Sequence, residues 1–298
     1  MPAAARADAP PSTELAAVEE ALARHPDDVL LLLTRAELLL ETAQPALALE
    51  DLALVAALAP GDARLPVIRA AALTALGRDD DALADLDRAR LEGRASARAL
   101  VARARLLARG GRLPEAVAAW DELLAQHADV EGFSERSALL ARLGRAEDAL
   151  ASDREGLERT GATALRLAVI ERAAALGHHD AALDALAPLL APRAGHGRGR
   201  WPVRAADILA AAGRAHEARD RCDEAARELR ASAARRPSAA VLTDLSRALL
   251  GLGRLDEAEL EARRALAASP SVERTDLLTA ITRARAIESA RPAQGGAR

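Results

Sequence analysis

The chain has 298 residues, half of them hydrophobic, with aromatics at only 1% and a formal net charge of −4. That length allows one extended stack of repeats or two ordinary globular domains. The negative charge argues against a general nucleic-acid binder, because holding phosphates needs a basic excess, and the single cysteine, Cys222, excludes an internal disulfide.

Ala and Leu dominate and strand formers are scarce, so propensity points to an all-α chain. Every basic residue is Arg and there is no Lys, as GC-rich coding would produce. Residues 1–11, MPAAARADAPP, are expected to form an irregular tail. They hold no apolar leader core, and a cytoplasmic location is expected. An exported protein, periplasmic or secreted, whose leader has been removed is the alternative. A helix follows over 12–25, capped by Ser12 or Thr13, with Leu15, Val18, Ala21 and Leu22 along one side and Pro26 closing it.

The next helix, from Val29 to Leu40, is rich in leucine, but it is too short to span a bilayer and Arg35 and Glu37 interrupt it. No transmembrane segment is expected anywhere. From here a pattern sets in. A small residue precedes an Ala by five positions at Ala43/Ala48, Gly77/Ala82, Gly111/Ala116, Gly144/Ala149, Gly177/Ala182, Gly213/Ala218 and Gly253/Ala258. The second members are 34, 34, 33, 33, 36 and 40 residues apart, a period that marks a repeat architecture. The last copy, 239–272, is the clearest. Leu242, Leu245, Leu249 and Leu252 make one helical stripe, and Gly253 stops it as a left-handed C-cap. Asp256 and Glu257 suit the N-terminus of a second helix, Ala258, Ala262 and Ala265 give that helix a small inner face, and Pro270 ends it. Such a pair does not cover its own apolar face, so copies must stack.

This pattern resembles the tetratricopeptide-repeat (TPR) family. The family asks for a small residue at position eight, Gly near fifteen, Ala at twenty, a large residue at twenty-four, Ala at twenty-seven and Pro at thirty-two. Residues 239–272 supply Ser246, Gly253, Ala258, Ala262, Ala265 and Pro270. Residues 29–62 supply Ala36, Ala43, Ala48, Leu52, Val55 and Pro60; 63–96 supply Ala70, Gly77, Ala82, Leu86 and Ala89; 97–129 supply Ala104, Gly111, Ala116, Trp120 and Leu123. Copies from about 130, 163 and 199 keep the Gly/Ala pair but drift elsewhere. Asp153 at position twenty-four, the missing closing Pro of the middle copies and the absence of Tyr depart from the pattern.

The resemblance implies a right-handed α-solenoid of about seven helix-turn-helix repeats with capping helices at both ends. The organisation expected is a tail over 1–11, a stack over 12–190, a Gly/Arg-rich linker over 191–200, a second stack over 201–290 and a tail over 291–298. The linker's Gly195, Gly197 and Gly199 lack the preceding strand of a phosphate loop. Trp201 restarts the packing, Phe133 and Cys222 fill core positions, and a helix over about 272–290 caps the end.

The function the resemblance implies is non-catalytic: a scaffold whose concave groove binds a peptide or helix of another protein, with no cofactor. An exported envelope or secretion assembly factor of the same fold is the alternative. Arg98, Arg105 and Arg109 fall on one helical face, at family positions two, nine and thirteen, which face the groove, and Arg64 and Arg142 map to comparable positions. Arginine forks suit an acidic group, whereas an Arg-rich solvated face is the plain alternative. The family's carboxylate clamp needs Lys and Asn, and this chain has neither. Leu30, Leu33 and Leu40, at positions two, five and twelve, would form an apolar anchor if exposed; burial under the neighbouring helices is the other reading. His178-His179-Asp180 reads as a turn. A metal site or an enzyme built on it is a lesser reading, since its spacing is poor for a zinc site.

Overall fold

The computed structural model describes residues 11–190 and 200–290. The tail calls at 1–11 and 291–298 and the linker at 191–200 therefore lie outside the described residues, apart from Pro11 and Arg200. The described residues form 16 helices and no strand: α1 (Pro11–Arg24), α2 (Val29–Glu41), α3 (Pro45–Leu58), α4 (Leu65–Ala75), α5 (Asp79–Leu91), α6 (Ala97–Arg109), α7 (Leu113–Gln126), α8 (Val130–Arg142), α9 (Ala146–Thr160), α10 (Thr163–Ala175), α11 (His179–Leu190), α12 (Arg200–Ala211), α13 (Ala215–Arg235), α14 (Ala239–Gly251), α15 (Leu255–Ala268) and α16 (Val272–Ala290). Each repeat read in the sequence is one pair, from α2/α3 to α14/α15, with α1 and α16 flanking the series. No described helix is long and apolar enough to cross a membrane.

The turn inside each pair explains why the Gly/Ala offset recurs. Gly253 sits at φ +75°, a region closed to most side chains. There the Arg254 N–H reaches back to the Leu249 carbonyl at 2.9 Å, and the Arg254 carbonyl accepts from Ala258 N–H at 2.9 Å. One residue closes the first helix and opens the second. In α2/α3 the same closure runs from Gln44 N–H to Leu39 O at 2.7 Å. The left-handed residue there is Ala43, the only described non-glycine with positive φ.

The two helices of a pair start differently. Four of the first helices carry side-chain caps: Asp28 accepts from Leu30 and Leu31 N–H, Ser96 from Ala99 N–H, Asp129 from Gly132 N–H and Ser238 from Val241 N–H. Most second helices follow an arginine that binds the acid three residues on, as in Arg78–Asp81, Arg112–Glu115, Arg145–Asp148, Arg214–Glu217 and Arg254–Glu257, each with an Nε contact of 2.6 to 2.7 Å. The acid lies in the first helical turn, where the dipole favours it. Hydrogen bonding to the arginine holds the Glu115, Glu217 and Glu257 carboxyls below their ordinary range.

The chain divides into two compact units, Met1–Ala162 and Thr163–Arg298. In the first, Leu22 of α1 joins Leu32, Leu33, Leu39, Leu52, Val55 and Ile68 in one core; Phe133 and Trp120 are buried further along. In the second, α13, α14, α15 and α16 close around Leu229, Leu245, Leu249, Ala262, Leu277 and Ile281. Cys222 is a buried free thiol whose titration burial pushes up, with the Asp207 charge adding to it. It touches α14 so closely that a Cβ at Gly251 would stand 2.5 Å from its Sγ.

Candidate functional site

In the first unit, α4 and α6 pack side by side. Their inner faces are small and apolar: Val67 and Ala71 on α4, Val101 and Ala102 on α6. Two adjoining hollows result, of about 380 and 340 Å³. The first is bounded by Arg98 and Arg105, with His127 and Asp129 at one end. The second is bounded by Arg105, Arg109 and Thr74. The helical spacing of the three arginines thus brings them to the rim of a single apolar-floored groove.

Their charges are not equally available. Arg105 binds Glu131 at the start of α8. Arg109 lies 3.3 Å from Asp79 and 3.4 Å from Thr74 Oγ1, long contacts of modest strength. Arg98 is exposed and makes no ion pair among the described residues. Glu131 and Asp79 are both solvent-exposed, so neither of these ion pairs is a buried one.

The other candidates are dispersed. Arg64 precedes α4, where its guanidinium grips Asp62 at 2.7 and 3.0 Å and holds that carboxyl below its ordinary range. Arg142 is exposed at the end of α8. The leucine set does not form an exposed anchor. Leu33 is 1% exposed and belongs to the core with Leu22 and Leu52, Leu40 is half-buried against that core, and only Leu30, at 59%, faces solvent. The reason is geometric: α1 and α4 both pack on α2 and cover most of its surface. His178 closes the turn before α11 through its N–H to Ala173 O at 2.8 Å. No group of three or more potential metal ligands converges among the described residues.

Two sets of residues escaped the sequence reading. One is an arginine at repeat position seven in four consecutive copies. Arg35 binds Asp51 and Arg69 binds Asp85 within their own pairs, Arg103 reaches back to Asp87 at 2.5 Å, and Arg136 spans Asp121, Ser152 and Glu155 at 2.6 to 2.9 Å. Its period of 34, 34 and 33 residues was the available signal. The other is a cleft of about 440 Å³ in the second unit, lined by Glu171, Trp201, Arg204, Asp207, Asp244 and Arg247 among others.

No protein-family model matches the sequence, and no curated protein matches it. Solved structures do. The C-terminal part of a TPR repeat-containing protein from Cytophaga hutchinsonii is similar at a TM-score of 0.58 and 13% identity, over 83% of this chain and 99% of that one. A tetratricopeptide repeat protein from Parabacteroides merdae is similar at a TM-score of 0.43 and 17% identity, over 84% of this chain and 97% of that one. Together with the helix pairs and their turns, the first of these establishes the architecture: the chain has the tetratricopeptide-repeat fold.

Proposed function

We propose that the protein is a non-catalytic interaction scaffold, and that the groove over α4 and α6 receives a peptide or helix of a partner protein bearing an acidic group. What supports this reading is the meeting of an apolar floor, Val67, Ala71, Val101 and Ala102, with Arg98, Arg105 and Arg109 along one rim. An apolar floor supplies affinity without direction, and the arginine forks supply orientation through carboxylates. Arg98 is the strongest single contributor, because it makes no ion pair among the described residues.

Capture of partners from lysate of the source organism tests the reading, using the wild-type chain beside an Arg98→Gln/Arg105→Gln/Arg109→Gln variant. Neutral replacement avoids setting a new acid against Glu131 or Asp79. A protein held only by the wild type, with affinity that calorimetry finds at least tenfold weaker for the variant, supports the groove. Equal retention moves the site elsewhere, and no retention by either chain removes the scaffold reading.

A further inference from the structure

The second helix of each pair turns one face outward, and the repeats allow that face to be compared copy by copy. One position before the Ala that follows each turn, five copies carry an acid: Asp81, Glu115, Asp148, Glu217 and Glu257. Six positions after that Ala, the same five carry Arg88, Glu122, Glu155, Glu224 and Arg264. In α3 these two places hold Leu47 and Leu54. The arginine that grips the acid in the other copies is replaced too: Gln44 stands there and makes no side-chain cap.

α3 packs on α2 and α4, through a side that includes Ala48, Leu52 and Val55. Its opposite side carries Leu47, Leu54 and Leu58, which are 46, 51 and 47% exposed. Ala46 and Ala57 lie beside them, and Glu50 is the one charge on that side. A helix that is apolar all round is a helix buried all round, yet no described helix lies over this strip. In the other copies charges keep the matching face in water.

The strip has the spacing of a helix–helix seam. Leu47, Glu50, Leu54 and Ala57 follow one another at intervals of 3, 4 and 3. It is also complementary to itself when reversed. A twofold axis at the level of Leu52 brings Leu47 level with the partner's Ala57, Leu58 level with the partner's Ala46 and Leu54 level with the partner's Glu50. Large residues then meet small ones or the aliphatic stem of a glutamate, as interdigitation requires. The axis makes each contact twice. A parallel arrangement would instead set Glu50 against its own copy, which like charge disfavours.

We infer that the outward face of α3 docks on the same face of a second copy of this chain, with the two helices antiparallel. One helix-to-helix seam covers less than the roughly 800 Å² per partner of a standard interface. The dimer is therefore weak, and it exchanges with monomer at micromolar concentrations.

Sedimentation equilibrium of the full chain, from low to high micromolar concentration, tests this with two substitutions at one position. Leu54 is half exposed, and its counterparts Arg88, Glu122 and Arg264 are charged, so neither change disturbs the fold; circular dichroism checks that. The wild-type mass is expected to rise with concentration from that of one chain toward that of two. Leu54→Glu sets a second acid against the partner's Glu50 and should weaken association by about tenfold or more. Leu54→Arg offers that same glutamate a counter-ion and should stay within about threefold of wild type. A wild-type chain that is monomeric throughout would overturn the inference. So would a Leu54→Glu chain that dimerises as wild type does, or equal loss in both variants, which would remove Glu50 from the seam.

Discussion

Ser246 Oγ donates a 2.7 Å hydrogen bond to the main-chain carbonyl of Ala258, tying the middle of α14 to the start of α15. The same tie recurs in α8/α9, where Ser137 Oγ reaches the Ala149 carbonyl at 3.2 Å. Both serines are fully buried. They occupy the repeat position that Ala36, Ala70 and Ala104 hold in other copies, so the site has room for a methyl group and little more. Ser246→Ala removes one hydrogen bond and leaves the carbonyl in its helix, at a cost of about 1 kcal/mol. Ser246→Val overfills the same gap and costs about 1–3 kcal/mol. Urea melts distinguish them. An alanine variant as damaged as the valine one would mean that the serine holds the pair by something other than this bond.

Ala43 occupies the left-handed turn position at φ 57° that glycine takes in the other pairs. The strain of a Cβ there is about 1–2 kcal/mol, partly offset by the smaller backbone entropy that Ala loses on folding. Ala43→Gly is therefore expected to stabilise the first unit by about 0.5–1 kcal/mol, and Gly253→Ala to destabilise the second by a similar amount. Denaturant midpoints of the two variants should move in opposite directions. Movement in the same direction would refute the shared turn geometry.

These turns were legible in the sequence because the offset from a small residue to Ala is enforced locally, by one left-handed residue and the hydrogen bonds around it. Phe133 and Cys222 were legible as core for a similar reason: helical spacing alone puts them on a buried face. Leu33 was not. Whether a leucine of α2 faces the groove or the core depends on how α1 and α4 sit on it, and a helical stripe says nothing about that. The arginine groove lies between these cases. The shared face of Arg98, Arg105 and Arg109 follows from periodicity, but their engagement by Asp79 and Glu131 comes from neighbouring repeats. The pairing of Arg204 with Glu171 was hidden because it joins repeats of unequal length. The Arg35, Arg69, Arg103 and Arg136 ladder was visible as a period, but its carboxylate partners lie in the same pair for Arg35 and Arg69, in the preceding pair for Arg103 and in both for Arg136.

Arg136 is the most enclosed member of that ladder. It lies 5.2 Å from the Phe133 ring and bonds Ser152, Asp121 and Glu155 at once. Arg136→Met keeps the length and loses every donor, at a cost of about 2 kcal/mol; Asp121 and Glu155 are both solvent-reached, which spares the full penalty of stranded buried charge. The hydrogen bond from Arg136, then that from Arg159, holds the Glu155 carboxyl below its ordinary value. A carboxyl lowered in the folded state stabilises above its unfolded value and loses that stabilisation as pH falls through the folded one. The cost of Arg136→Met should therefore be largest at neutral pH and shrink below about pH 4. Equal costs at pH 7 and pH 3.5 would leave the neutral contacts, the Ser152 hydrogen bond and the Phe133 ring, as the whole effect.

Asp244 has the opposite sign. Burial pushes its carboxyl up first; Arg247 and Arg200 pull it back, and Glu273 and Asp207 push it up again. A carboxyl raised in the folded state binds more protons folded than unfolded, so stability falls as pH rises from about 4 through the raised value. Asp244→Asn removes that loss and eases the repulsion with Asp207. The variant should melt at a higher temperature than wild type at pH 7, with the advantage fading toward pH 4. Thermal melts across that range read the effect directly. A variant less stable than wild type at pH 7 would mean that Asp244 holds its place through an attractive contact, such as that to Arg247, which outweighs the cost of its burial.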